Sequence, residues 1–344
     1  MKKNSKNKSI ATYTLFGIFI VILMLALFST KKFIKNYDIN TSVNNPEEKN
    51  KKIASVEKNA KQQGNTSGNL SINNGSFSFG PKYNYLVVQN KNLKDLKKYS
   101  KLEEDGKVIF SSNDIKYLNQ FGNYLYFVTT HKNKEKIVKM DIENNDMMYI
   151  ETSVSNNINS LTIDKNFIYY TVKQDPNIYR INEDDSIKKV YSDNNFKGNL
   201  KTIGINNGFL YFFNSTGAFK LDLNTQECFL VSANISSDIQ SPILTNNGIV
   251  YFSNLRKDNI SFLNFKDNSD IIMNINNIKF YNYIDGFLFL SDGINVYETS
   301  NYVEFKKINE IKLENNPFYL SDKYLISVKD SVITTYKINW ILSQ

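Results

Sequence analysis

Residues 160–192 read SLTIDKNFIYYTVKQDPNIYRINEDDSIKKVYS, and this stretch decides the fold. It holds four short runs, SLTI, FIYYTV, NIYRIN and IKKVYS, separated by DKN, KQDP and EDDS. The runs are apolar or alternating, and the separators are turn formers, so each run is expected to be a β-strand. The next unit repeats the order as KTIGI, FLYFFN, AFKLDL and ECFLVS, and the one after as PILT, IVYFSN, ISFLNF and DIIMNI. Alternation is clean in AFKLDL, where Phe219, Leu221 and Leu223 fall on one face. No unit contains a helical pattern.

The second run of each unit is nearly one hydrophobic word. Aligned by its third letter, it places Tyr85, Tyr126, Tyr169, Tyr211, Tyr251, Phe289 and Ile326 at steps of 41, 43, 42, 40, 38 and 37 residues. A period near 40 marks a repeat architecture. A lone four-stranded sheet has two faces to bury and two edges to protect. Stacking the sheets radially buries the faces and leaves only short edges. The expected fold is therefore all-β: a β-propeller of four-stranded antiparallel blades over residues 76–344. Seven blades are expected, with six as the alternative. SFSF at 76–79 would be the first innermost strand, and WILSQ at 340–344 the last strand, with Trp340 packed in the closing blade.

The chain has 344 residues, with 22 tyrosines and 24 phenylalanines, an aromatic load suited to pleated surfaces. Its formal charge of +8 is not spread evenly. Seven lysines and no acid lie in residues 1–35, and residues 36–80 carry five lysines against four acids. Those 80 residues account for the whole excess, so residues 81–344 are neutral. A neutral propeller has no surplus with which to neutralise phosphates, and nucleic acid is not an expected partner. A single cysteine, Cys228, excludes an intrachain disulfide and reads as a small packed residue. A single histidine, His131, excludes zinc sites built from several histidine and cysteine ligands.

Residues 10–28, IATYTLFGIFIVILMLALF, carry no charge. As a helix they would span roughly 28 Å, against a bilayer core of about 30 Å. The short basic tail at 1–9 favours the N-terminus inside. An uncleaved anchor is expected, since LALFSTKK offers no convincing cleavage site; a secreted, processed form is the alternative. Residues 29–75 read as a polar stalk, with Asn45, Pro46, Glu47 and Glu48 forming a helix start.

The words YFSN at 251–254, FLSD at 289–292 and NIYRIN at 177–182 resemble the YWTD propeller repeats of low-density-lipoprotein receptors. GNTSGNLSINNGSFSF at 64–79, followed by YNYLVV, is similar to the start of an uncharacterised bacterial propeller family related to them. That resemblance implies a secreted or membrane-anchored propeller. It implies no ligand residue, because the motif is structural in the receptors. Only Asp292 keeps the acidic fourth letter; Asn214 and Asn254 replace it.

One rim of the propeller should gather the blade-to-blade connections and the loops between second and third strands. On it the sequence places Asn113, Asp114, His131, Asp175, Gln240, Arg256, Asp258 and Asn316 as candidate ligand-binding residues, with Gln174, Asn199 and Asn214 beside them. Asn and Asp are also ordinary turn residues. The acidic loops NEDDS (182–186) and DIENND (141–146) lack the spacing of a calcium loop and read as exposed hairpins. No phosphate loop, dinucleotide fingerprint or nucleophile elbow is present, and no cofactor is expected. The sequence thus supports a non-catalytic binding module for a protein or an envelope carbohydrate or peptide. A hydrolase or lyase using acids at the channel mouth, and a structural scaffold, are the alternatives.

Overall fold

The structure is a computed structural model. It describes residues 77–337 except 80–82, 101–105, 153–156, 165–166, 194–197, 199, 236–239, 253–259, 285, 317, 322–323 and 330–331. The anchor, the stalk and Trp340 lie outside the described residues. Among the described residues, no helix is long and apolar enough to cross a membrane.

The strands form seven antiparallel sheets, each in simple chain order. Blade 1 holds β1 (Phe77–Phe79), β2 (Tyr83–Asn90), β3 (Leu93–Ser100) and β4 (Lys107–Ser112). Blade 2 holds β5 (Ile115–Phe121), β6 (Tyr124–His131), β7 (Lys134–Asp141) and β8 (Met147–Ile150). Blade 3 holds β9 (Ile158–Asp164), β10 (Phe167–Val172), β11 (Asn177–Ile181) and β12 (Ile187–Ser192). Blade 4 holds β13 (Lys201–Asn206), β14 (Phe209–Asn214), β15 (Gly217–Asp222) and β16 (Cys228–Ser232). Blade 5 holds β17 (Gln240–Leu244), β18 (Gly248–Phe252), β19 (Ile260–Asn264) and β20 (Asp270–Ile272). Blade 6 holds β21 (Phe280–Ile284), β22 (Phe287–Ser291), β23 (Asn295–Thr299) and β24 (Lys306–Lys312). Blade 7 shows β25 (Phe318–Ser321), β26 (Tyr324–Lys329) and β27 (Val332–Lys337); residues 338–344, where its fourth strand is expected, are not described.

The blade count is seven, as the period indicates. First strands neighbour one another from β1 to β5 to β9 to β13 to β17, and from β21 to β25, so they line the axis. The core is divided into seven apolar clusters, one at each blade–blade interface. The seventh closes the ring: Phe77, Leu86 and Val88 of blade 1 pack on Tyr319 and Ile326 of blade 7. The Phe77 and Tyr319 rings stack there with centroids 5.2 Å apart.

Strand alternation explains why the repeated word is apolar at consecutive letters. In β10, Ile168, Tyr170 and Val172 face blade 2, while Phe167 and Tyr169 face blade 4. A strand buried on both faces needs no polar alternation. Phe219, Leu221 and Leu223 do share one face, at the interface of blades 3 and 4.

One alignment is corrected. The third letter of the word faces the following blade in every blade but the fifth. Tyr251 faces backward onto blade 4 with Ile249, and Val250 takes the forward position. The cause is the turn before the strand. In blade 4 the turn is Asn207–Gly208, both at positive φ, and Phe209 opens the strand against Asn206. In blade 5 the Thr245 N–H donates to Gly248 O at 2.9 Å, so the turn is Asn246–Asn247 and Gly248 is already in the strand. A slip of one residue sends every side chain to the other face. The true steps from Tyr211 to Val250 to Phe289 are 39 and 39.

Candidate functional site

On the upper face, the expected rim residues are held mostly within their own loops. The Asp175 carboxylate accepts from the Asn177 N–H at 2.8 Å, the Asn177 side chain at 2.7 Å and the Tyr179 hydroxyl at 2.9 Å. Asn214 Oδ1 accepts from the Thr216 N–H at 2.8 Å and the Gly217 N–H at 3.1 Å. Asp292 accepts from the Ile294 and Asn295 N–H groups at 2.8 and 2.7 Å. Burial pushes the Asp292 carboxyl up, but the hydrogen bonds from Asn295, Ile294 and Tyr297 outweigh it and hold the group below its ordinary value. These three residues cap equivalent turns. Asn316 likewise donates to Leu313 O at 2.9 Å.

His131 ends β6 and stacks on Tyr149 of the outermost strand, centroids 4.3 Å apart. Asn113 and Gln174 are exposed in their turns. Asn214 Nδ2 also donates beyond its turn to Asp193 at 2.7 Å, and Asp114 joins a wider cluster: it pairs with Lys94 at 3.1 Å and lies 3.9 Å from Lys116, which also pairs with Glu135. That cluster ties the upper loops of blades 1 and 2. Gln240 opens β17 opposite Phe252. Asn199, Arg256 and Asp258 lie outside the described residues.

Cys228, expected as a packed residue, is exposed on β16. Partial burial of its sulfur beside Tyr191 of the neighbouring outer strand pushes the thiol up to about 11.

The lower face carries a device that repeats. The first letter of the word is aromatic in blades 1 to 4, and a cation of the third strand lies over its ring. Lys98 sits 4.1 Å from the Tyr83 centroid, Lys139 4.3 Å from Tyr124, Arg180 4.5 Å from Phe167 and Lys220 4.9 Å from Phe209. Each cation is also the cross-strand partner of the third-letter tyrosine, so one strand spacing builds the whole triad.

The following blade then covers the triad with one residue of its own third-to-fourth-strand turn. The turns correspond in place: Asp141 N–H donates to Asp146 O, Asp222 to Glu227 and Asn264 to Ser269, each five residues on and at 2.9 Å, while in blade 3 Asn182 donates to Ser186, four residues on, at 2.9 Å, a turn one residue shorter. The covering residue comes next in the chain. Ile142 packs with Tyr83 and Tyr85, and Leu223 with Phe167 and Tyr169. The Phe265 ring stacks on Tyr211 at 4.8 Å. Blade 6 uses Tyr302, stacked on Phe262 at 3.7 Å.

Between blades 2 and 3 the equivalent residue is Glu183, which is exposed. A groove of about 620 Å³ opens there, within the usual range for small-ligand pockets. Tyr126, Ile150 and Ile168 form its floor, and Tyr124 and Lys139 one wall. Glu183 and Asp185 stand on its lip. Tyr124 is 37% exposed. Burial, then the neighbouring Tyr124, pushes the Tyr126 hydroxyl up to about 12, so it is a neutral donor at physiological pH. Among the described residues, no group of three metal-ligating side chains converges.

No family model and no curated protein sequence matches the chain. Solved structures do. The chain is similar to TolB from Acinetobacter baumannii at 12% identity, over 66% of this chain and 63% of that one, with a TM-score of 0.46. It is similar to the extracellular domain described as that of a one-component system from B. thetaiotaomicron at 11% identity, over 77% of this chain and 40% of that one, TM-score 0.50. A chain of the mitotic checkpoint complex matches at 7% identity over 74% and 86% of the two chains, TM-score 0.55. The chain thus spans under two thirds of TolB and of that extracellular domain, and these likenesses are of fold.

Proposed function

We propose that this protein is a membrane-anchored, extracytoplasmic propeller that binds a protein or envelope ligand without catalysis. The observation that carries the reading is the groove between blades 2 and 3. It is open where the interfaces of blades 1–2, 3–4, 4–5 and 5–6 are covered by Ile142, Leu223, Phe265 and Tyr302. An apolar floor with a few charged groups at its edge is the usual make-up of a binding site. The placement outside the cytoplasm rests on the uncharged run at 10–28 and its lysine-rich flanks. The strand words resemble those of the YWTD propellers, where the motif is structural, and that resemblance supports a secreted or membrane-anchored propeller without naming a ligand residue.

The lone cysteine offers a test of placement in the full chain. Cys228 is exposed on an outermost strand, so a small membrane-impermeant maleimide, given long enough for its raised thiol to react, should label it equally in intact and lysed source cells. Labelling only after lysis overturns the placement. Binding is tested by co-sedimentation of the detergent-solubilised full chain with envelope fractions. The fraction bound is expected to fall on Glu183→Leu, which closes the groove, and an unchanged fraction removes the groove from the function.

A further inference from the structure

The repeat shows what the open groove is built to hold. At four interfaces the same seat, above the aromatics or third-strand residue of the preceding blade, is filled by an isoleucine, a leucine, a phenylalanine and a tyrosine. Each arrives on a tight turn. Its main chain is also held: the Ile142, Leu223 and Phe265 N–H groups donate to the first-to-second-strand turn at 2.9, 3.0 and 2.8 Å, and Lys98 donates to Ile142 O. The seat between blades 2 and 3 has the same parts: Tyr124, Tyr126, and Lys139 as the counterpart of Lys98. Among the described residues the filling side chain is missing, because Glu183 is exposed in its place.

Charge narrows the occupant further. Among the described residues, the lip of the groove carries Glu183 and Asp185 against one cation, Lys139, which keeps its charge while lying over the Tyr124 ring. Asp184 on the same turn is engaged with the Ser186 hydroxyl and N–H. The described residues of the mouth therefore carry more acid than base, above a floor of Tyr126, Ile150 and Ile168. We infer that the groove receives a partner polypeptide that inserts one branched or aromatic side chain between basic residues. The inserted side chain takes the seat that Ile142, Leu223, Phe265 and Tyr302 fill elsewhere, and the flanking cations meet Glu183 and Asp185. This rests on the binding-module reading and names its partner class.

The test uses the full chain in detergent and a fluorescein-labelled pentapeptide with leucine between two lysines, read by fluorescence polarisation. Two control peptides replace the leucine with serine or the lysines with glutamates. The lysine–leucine peptide should bind at least about tenfold tighter than either control, a difference of about 1.4 kcal/mol. Glu183→Leu should abolish the binding while melting no lower than the wild type, because it supplies the missing filler. Glu183→Gln keeps the groove open and should lose most of the preference for lysine over glutamate but keep that for leucine over serine. Equal affinity for the three peptides, or binding unaffected by Glu183→Leu, overturns the proposal. Chitotriose binding that Glu183→Leu abolishes, with no peptide bound, assigns the groove to a sugar. That outcome overturns the peptide proposal and leaves the binding-module reading standing.

Discussion

Asp175, Asn214 and Asp292 show how one short polar side chain fixes a turn between two buried strands. Each accepts from main-chain N–H groups that the turn leaves without strand partners. Removing the acceptor leaves those donors to water or to nothing, so Asp292→Ala should cost about 2 kcal/mol in urea unfolding. Asp292→Asn should cost much less, because an asparagine already serves the same turn in blade 4. The pH dependence follows from the depressed carboxyl of Asp292. Its contribution is complete above the ordinary aspartate value of about 3.9 and is lost as pH falls through the lower folded value. The difference between wild type and Asp292→Ala should therefore shrink on acidification below about pH 4. These residues were legible in the sequence as polar turn residues. Their partners were not, since Asn and Asp favour turns and binding sites alike.

At the scale of the strand, a turn of two residues decides which neighbour each side chain meets. Gly248 is the residue that permits the altered phase of blade 5. A Cβ there would lie 2.0 Å from Leu263 O, a main-chain atom of the paired strand, and 2.5 Å from the Phe262 ring. Gly248→Ala should destabilise by about 1–3 kcal/mol through overpacking. Gly208, the turn glycine of blade 4, has open space around it but a φ of 79°. Gly208→Ala should cost about 1–2 kcal/mol through backbone conformation alone. Combining each with Phe262→Leu separates the two causes: it removes the ring clash but not the one with Leu263 O, so it should recover part of the loss for Gly248→Ala and none for Gly208→Ala. Both sites read NNG, and the sequence does not say which pair makes the turn. That choice is settled by whether the flanking strands bury their apolar faces against the two adjacent blades.

For the whole molecule, stability is spread over seven interfaces that share the same parts. Tyr126, Tyr169, Tyr211 and Tyr319 lie at four of them, and burial pushes each hydroxyl up to about 12. Raised tyrosine values mean stability that is complete below the unfolded value of about 10 and lost as pH rises through the folded one. Urea midpoints followed by circular dichroism should therefore be flat from about pH 7 to pH 9 and fall steeply above about pH 10. A midpoint unchanged at alkaline pH would mean that these hydroxyls ionise freely in the folded ring. The period near 40 and the all-β class were determined by the sequence itself, because strand alternation and turn chemistry are local and recur in every unit, while the choice of seven blades over six was closed by the packing of Phe77 on Tyr319. The neutrality of residues 81–344 was equally plain. Tertiary structure alone decided which of the two NNG turns shifts its strand, which rim residues spend their polar atoms on their own loops, and where the surface opens. Glu183 is an unremarkable acid in NEDDS until the turn of each blade is laid over the aromatics of the one before it. The groove exists because a residue distant in sequence from Tyr124 and Tyr126 fails to fill a seat that only the packing of neighbouring blades creates.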